Sequence, residues 1–257
     1  MTVRSPLFAL SLIAATALAG CGRSESVETF KPDRAEEKVA VTDTKAAPKT
    51  ADAGTATAAG AGAFAPQDSC AGDESFAAYR TRLDAAIKAK DIAALTPLLD
   101  PAIKLDFGGG SGVEEFGKRL AGNGTDAPLW PELATVMALG CSLDRDGKAA
   151  SSPWYFDNLG ARDAFTTFIP ARSGIELVKA VPEGDAKPEV VRTLGWDALA
   201  HVNPEEGIDR PWIEVKLDDG TTGFVRTEDV RSAIDYRAIF NKGDDGAWKM
   251  TAFIAGD

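Results

Sequence analysis

The stretch Gly174–Ser232 constrains the fold most. It is a series of short apolar runs separated by turn residues, a spacing that fits a small barrel better than a helical domain. Its densest run, Trp212-Ile213-Glu214-Val215-Lys216-Leu217, leads into Asp218-Asp219-Gly220, and the chain resumes as Thr222-Gly223-Phe224-Val225. Val215 and Leu217 share one strand face, Asp219-Gly220 supplies a hairpin turn, and Gly223 lets the returning strand bend. A small β-barrel accounts for this pattern.

The remaining folded chain is of mixed character, so the expected class is α+β. Asp73 can cap a helix carrying Phe76, Tyr79, Leu83 and Ile87 at helical spacing. Asp91 opens a second short helical segment, Ile92–Leu95, which Thr96-Pro97 interrupts or restarts. Ile103–Phe107 reads as a strand whose odd positions share a face. Val113, Phe116 and Leu120 mark a further helix. Leu129, Trp130, Leu133, Val136 and Met137 mark another, with Gly140 placed to end it. Two terminal runs, Tyr236–Phe240 and Trp248–Ile254, flank the turn Asp244-Asp245-Gly246 as a closing hairpin. Residues 68–173 are thus expected as a helical α+β part, 174–232 as the embedded barrel, and 233–257 as a C-terminal β-hairpin packing back on the α+β part.

The first 20 residues have the make-up of an export signal. Arg4 precedes an apolar run, Leu7–Ala19, too short to cross a hydrocarbon core of about 30 Å as a helix. The run ends in Leu18-Ala19-Gly20-Cys21. This resembles the lipobox of bacterial lipoproteins, which implies cleavage before Cys21, a diacylglyceryl thioether on its sulfur and an acylated new N-terminus. Several acyl chains anchor stably, at about 0.8 kcal/mol per buried methylene, where a single chain does not. The implied location is the cell envelope, lipid-anchored to a membrane and facing the periplasm. Residues 21–67 then read as the lipidated cysteine followed by a disordered tether, rich in Ala, Thr, Asp, Lys, Glu and Gly with Phe30 and Phe64 as its aromatics. The tether is either a leash of useful length or a plain spacer.

With Cys21 lipidated, Cys70 and Cys141 remain as an even pair in an oxidising compartment. They are either bridged, closing a loop of about 70 residues worth roughly 4 kcal/mol in the chain-entropy model, or two separate buried thiols. One histidine and this cysteine spacing suggest no metal site.

Two further resemblances bear on fold. The helical opening, residues 76–107, and the closing hairpin resemble the nuclear-transport-factor-2-like superfamily of cone-shaped α+β folds, which implies that the barrel is inserted into that sheet or replaces part of it. The organising stretch resembles the bacterial Src-homology-3-type domain. Ile175–Val178, Val190–Trp196 and the pattern Trp212-x-x-Val215-x-Leu217-x-Asp219-Gly220-x-x-Gly223-Phe224-Val225 carry that likeness, which departs in the longer acidic loop from Asn203 to Arg210. It implies a barrel that presents aromatics beside variable loops to a peptide.

No reaction is legible. His201 lies in the strand-like run Ala198–Val202 and reads as structural, since nothing nearby in sequence orients it as a base. The acidic pairs Glu114-Glu115, Glu205-Glu206, Asp218-Asp219, Glu228-Asp229 and Asp244-Asp245 fall in turns or helix starts, where carboxylates have structural roles. Gly108-Gly109-Gly110-Ser111-Gly112 sits where a phosphate loop would be. No Gly-Lys-Ser/Thr follows it, and Glu114-Glu115 occupy the anion's place, so it reads as a flexible turn. A formal charge of -11 argues against nucleic acid as partner.

The expectation is therefore a lipoprotein without catalytic activity and without a cofactor. Trp196, Trp212 and Phe224 are the candidate binding residues, Trp154-Tyr155-Phe156 a further aromatic group, and a peptidoglycan peptide or an envelope protein the partner. The alternative is a small-ligand or enzymatic pocket in the cone-shaped part, with a buried polar residue such as Asp106.

Overall fold

In the computed structural model the described residues are 62–122, 126–184 and 186–257. The signal segment, the lipobox with Cys21 and the tether as far as residue 61 lie outside them. In chain order the elements are α1 (Glu74–Ala89), α2 (Ile92–Leu95), β1 (Leu99–Lys104), α3 (Val113–Ala121), α4 (Trp130–Ala138), β2 (Ser142–Leu143), β3 (Ala149–Ser152) and β4 (Thr167–Pro170). There follow β5 (Ile175–Val178), β6 (Val190–Leu194), β7 (Leu199–His201), β8 (Trp212–Leu217), β9 (Thr222–Arg226), β10 (Val230–Ser232), β11 (Arg237–Lys242) and β12 (Trp248–Ile254). The class is α+β, with two mostly antiparallel sheets.

The first sheet has the order β1-β12-β11-β3-β2, with β1 parallel to β12 and the other pairs antiparallel. The helices form where their caps and apolar spacing place them. The Asp73 carboxylate accepts the Phe76 N–H at 2.8 Å, and Asp91 accepts that of Ala94 at 3.0 Å, each satisfying an orphan donor of a first turn. The apolar faces of α1, α3 and α4 bury Phe76, Tyr79, Leu83, Phe116, Leu120, Leu133 and Val136 against Ala238, Phe240, Met250 and Phe253 of the sheet. One register detail makes this possible. Ile239 pairs with Ala252 and Phe240 with Met250, so Thr251 is an extra residue in β12. That bulge resets the alternation, which lets Trp248 and Met250 and then Phe253 all turn to the core.

The expected strand over Ile103–Phe107 forms earlier, from Leu99 to Lys104. Asp106 is the reason: its Oδ1 accepts the N–H groups of Gly108 and Gly110, both at 2.8 Å, and this folds the glycine run back on β1.

The second sheet has the order β10-β4-β7-β8-β9-β5-β6. It takes in β4, a strand upstream of Gly174. Pairing among the described residues leaves β10 and β6 as edges, so the hydrogen-bonded sheet is not a closed barrel. Phe168, Ile175, Leu177, Leu194, Leu199, Ile213, Val215, Leu217, Val225 and Val230 form one core of their own, joining residues from both ends of the strand order. The whole sheet enters the chain between β3 and β11, which pair with each other.

The segment Gly62–Gln67, expected to belong to the tether, departs from that reading. Phe64 is 2% exposed and sits in a third cluster with Leu139, Tyr155, Leu159, Ile169, Ala198 and Ala233, residues drawn from both halves of the molecule. One aromatic in an Ala- and Thr-rich run is enough to fix the segment when a slot between the two halves receives it. No helix among the described residues is long and apolar enough to cross a membrane.

Candidate functional site

A surface groove of about 680 Å³ lies at one end of the second sheet. One wall is the start of β5 (Gly174, Ile175, Glu176) with the β5–β6 connection, which contributes Pro182, Gly184, Ala186 and Pro188. The other is Trp212 with Arg226, Glu228, Asp229 and Arg172. Strand alternation explains Trp212: Ile213, Val215 and Leu217 point into the core, so Trp212 opens outward at the start of β8. Arg226 pairs opposite it in the ladder, with its guanidinium carbon 4.9 Å from the indole centroid. The charges on this wall hold one another: Arg172 to Asp229 at 2.7 Å and Arg226 to Glu228 at 3.6 Å. Glu176 has no ion-pair partner among the described residues. An aromatic face, backbone-rich proline and glycine walls and an uncompensated carboxylate suit an extended peptide better than a small apolar ligand.

Trp212 and Phe224 share this outer face. Phe224 is opposite Glu214, two pairs along from the Trp212–Arg226 pair and so on the same face. Trp196 is elsewhere. Its carbonyl accepts the Phe64 N–H at 2.9 Å, and its ring packs on the cluster between the halves. Tyr155 is buried in that cluster, and Phe156 stacks on the Arg237 guanidinium at 4.8 Å. The Trp154–Phe156 group therefore seals an internal junction.

The turn chemistry of the β8–β9 hairpin holds as expected. Gly220 has φ +86°, and a Cβ on Gly223 would come within 2.7 Å of the Val178 carbonyl, so this strand crosses β5 only as glycine.

His201 is 9% exposed and packs edge-on against Phe168, with centroids 5.6 Å apart. Burial pushes its pKa below the ordinary value, opposed by the nearby Glu205 and Glu206. Asp106 lies at the surface. The Arg119 guanidinium, 2.6 Å from its Oδ2, together with the loop N–H groups, holds its carboxyl below the usual range. That is the opposite shift from the one a buried general base requires.

Cys70 and Cys141 are joined as a disulfide, with Cα atoms 5.7 Å apart, at 0% and 1% exposure. Asp68 lies within 4.8 Å of both sulfurs, but a disulfide offers no thiolate to a metal, and Asp68 is paired with Arg80 at 2.6 Å.

Sequence reasoning passed over two arginines that join the halves. Arg231 of β10, 7% exposed, reaches Glu132 of α4 at 2.6 Å and Asp235 at 3.4 Å. Arg162 lies over the Phe64 ring and binds Asp218 of the β8–β9 turn at 2.5 Å. The links across the halves have no local sequence signal, because Glu132 and Asp218 are distant in the chain from the arginines they bind.

Comparison of the chain with protein-family models, with curated proteins and with solved structures gives no match.

Proposed function

We propose that the chain is a membrane-anchored cell-envelope lipoprotein without catalytic activity, in which the second sheet is an SH3-like module that holds a cell-wall peptide. The observation that carries the reading is the groove at Trp212, framed by the two strands that bear the Src-homology-3-type pattern. The common core of the seven strands, drawn from both ends of their order, agrees with a sheet curled in the manner of a small barrel. The lipobox Leu18-Ala19-Gly20-Cys21 supplies the anchor in this reading. The helical opening and closing hairpin, alike to the nuclear-transport-factor-2-like superfamily, serve as the platform. A ligand or catalytic pocket in that platform draws less support, because Asp106 is spent on Arg119 and the glycine turn.

Co-sedimentation of the purified chain with cell-wall sacculi tests the binding, with Trp212→Ala as control. Retention with wild type and at least ~10-fold weaker retention with the variant is the expected result. Failure to sediment would remove the wall peptide as ligand. Capture of one envelope protein by crosslinking at residue 212 would instead point to a protein partner. Incorporation of labelled palmitate, lost in Cys21→Ala, tests the anchor separately.

A further inference from the structure

The strap Gly62–Gln67 is the last described chain before the N-terminal region, and it is held in a particular way. Phe64 fills a slot lined by Leu139 and Tyr155 on one side and by Ile169, Ala198 and Ala233 on the other. Its N–H donates to the Trp196 carbonyl at 2.9 Å. Gly62 passes so close that a Cβ there would lie 2.2 Å from the Trp196 carbonyl carbon and oxygen. Beyond the plug, the Cys141 N–H donates to the Gln67 carbonyl at 2.8 Å, and the Ser69 N–H donates to the Cys141 carbonyl at 2.9 Å. The disulfide Cys70–Cys141 follows at once.

We infer that this strap is a tension-released catch: a pull on the chain N-terminal to Gly62 withdraws Phe64 from the slot between the two halves, and the disulfide stops the opening at Cys70. The geometry is that of peeling. A load arriving at Gly62 first meets Phe64, through its bond to Trp196 and its buried ring together, and then the Gln67–Cys141 bond, the Asp68–Arg80 pair and the Ser69–Cys141 bond in turn. At Cys70 the load passes into a covalent bond to the far end of α4, and α1 and the first sheet's core stay folded. The slot then opens at the junction that Arg162 and Trp196 also line. Local opening of a few loosely held residues, separate from global unfolding, is ordinary protein behaviour. What this chain adds is a covalent stop and a defined plug. The inference stands apart from what the groove binds.

Pulling the chain from its N-terminus and from Asp257 in an optical trap tests it. The expected trace has a short early extension, up to ~25 Å for the eight residues 62–69, followed by the main unfolding event. Phe64→Ala removes the early step, and Phe64→Leu keeps it at lower force. With reductant present, the early step runs on past Cys70 and merges with the main event. A single event in the oxidised wild type, or an early step that survives Phe64→Ala, overturns the inference. Hydrogen exchange on the wild type needs no variant. The amides of Phe64 and Cys141 are expected to exchange at least ~10-fold faster than those of Leu83 and Leu199. Equal protection at all four positions also overturns it.

Discussion

The two sheets are built from similar strands yet hold together by different means. The first depends on distant segments: β1, β2 and β3 come from before the second sheet, and β11 and β12 from after it. It buries a large aromatic cluster under helices, where Phe76 meets the rings of Tyr79, Phe240 and Trp248 at 4.9–5.7 Å, and it is tied by a disulfide. The second runs from Thr167 to Ser232 without interruption, has a ten-residue core of its own and has no cysteine. The difference teaches that a contiguous module can sit between two paired strands of a host sheet at modest entropic cost, because loop closure grows slowly with length. The host needs the covalent tie more, since its own pairings close the longest loops.

Several changes would break or sharpen that contrast. Replacing Cys70 and Cys141 by serine should cost about 4 kcal/mol for a separation of 71 residues. Urea unfolding followed by hydrogen exchange would show the first sheet losing protection before the second. Equal loss in both would make the halves one cooperative unit. Leu199→Ala removes a fully buried side chain from the second core and should cost about 3 kcal/mol. If the halves are separable, its effect appears in the strand amides of 167–232 while those of β11 and β12 stay protected. Asp73→Ala deletes the α1 cap and should lower stability by about 1 kcal/mol, read in the first region alone by helical circular dichroism at 222 nm.

Mild acid should produce the smallest effect, and on the second sheet first. The folded pKa of His201 is depressed by burial, so the folded state binds fewer protons than the unfolded one. Its contribution is fully present above the unfolded value of about 6.5 and is lost as the pH falls below it. A small drop in melting temperature between pH 7.5 and 5.5, absent in His201→Gln, is the expected result. Asp68 and Asp73 are also depressed, the first chiefly by the Arg80 hydrogen bond and the second chiefly by that of Ser75. Their contributions are present above the ordinary carboxylate range and are lost as the pH falls through their depressed folded values. The first region therefore responds only to stronger acid, where Asp219 of the second sheet, also depressed, adds its own loss. An order reversed between the two regions would contradict this assignment of pKa shifts.

Much of the local structure was legible because its causes are local. Asp73 and Asp91 cap the helices they precede, Phe76, Tyr79, Leu83 and Ile87 form the buried face of α1, and the Asp219-Gly220 turn joins β8 to β9. Strand β1 was misplaced because the stapling of the glycine run by Asp106 does not show in an alternating pattern. Strand β4 escaped notice because Thr167-Phe168-Ile169-Pro170 is buried at every position and shows no alternation. Of the candidate site, Trp212 and Phe224 could be placed on one strand face, since alternation alone aims them outward. Trp196 could not be separated from them, because its role depends on Phe64 more than a hundred residues away.

What the sequence determined by itself is therefore helices α1 to α4, most strands of the second sheet, the closing hairpin, the α+β class and the turn that fixes the β8–β9 hairpin, all set by spacing, caps and glycine within a few residues. Only the tertiary structure decided that Phe64 ends in a slot, that Arg231 reaches Glu132, that Cys70 meets Cys141, and that Trp196 faces inward while Trp212 lines a groove. Each of those contacts joins residues whose separation in the chain carries no periodic signal. They form when the packing of two halves brings the partners within a few ångströms, where burial and charge can act.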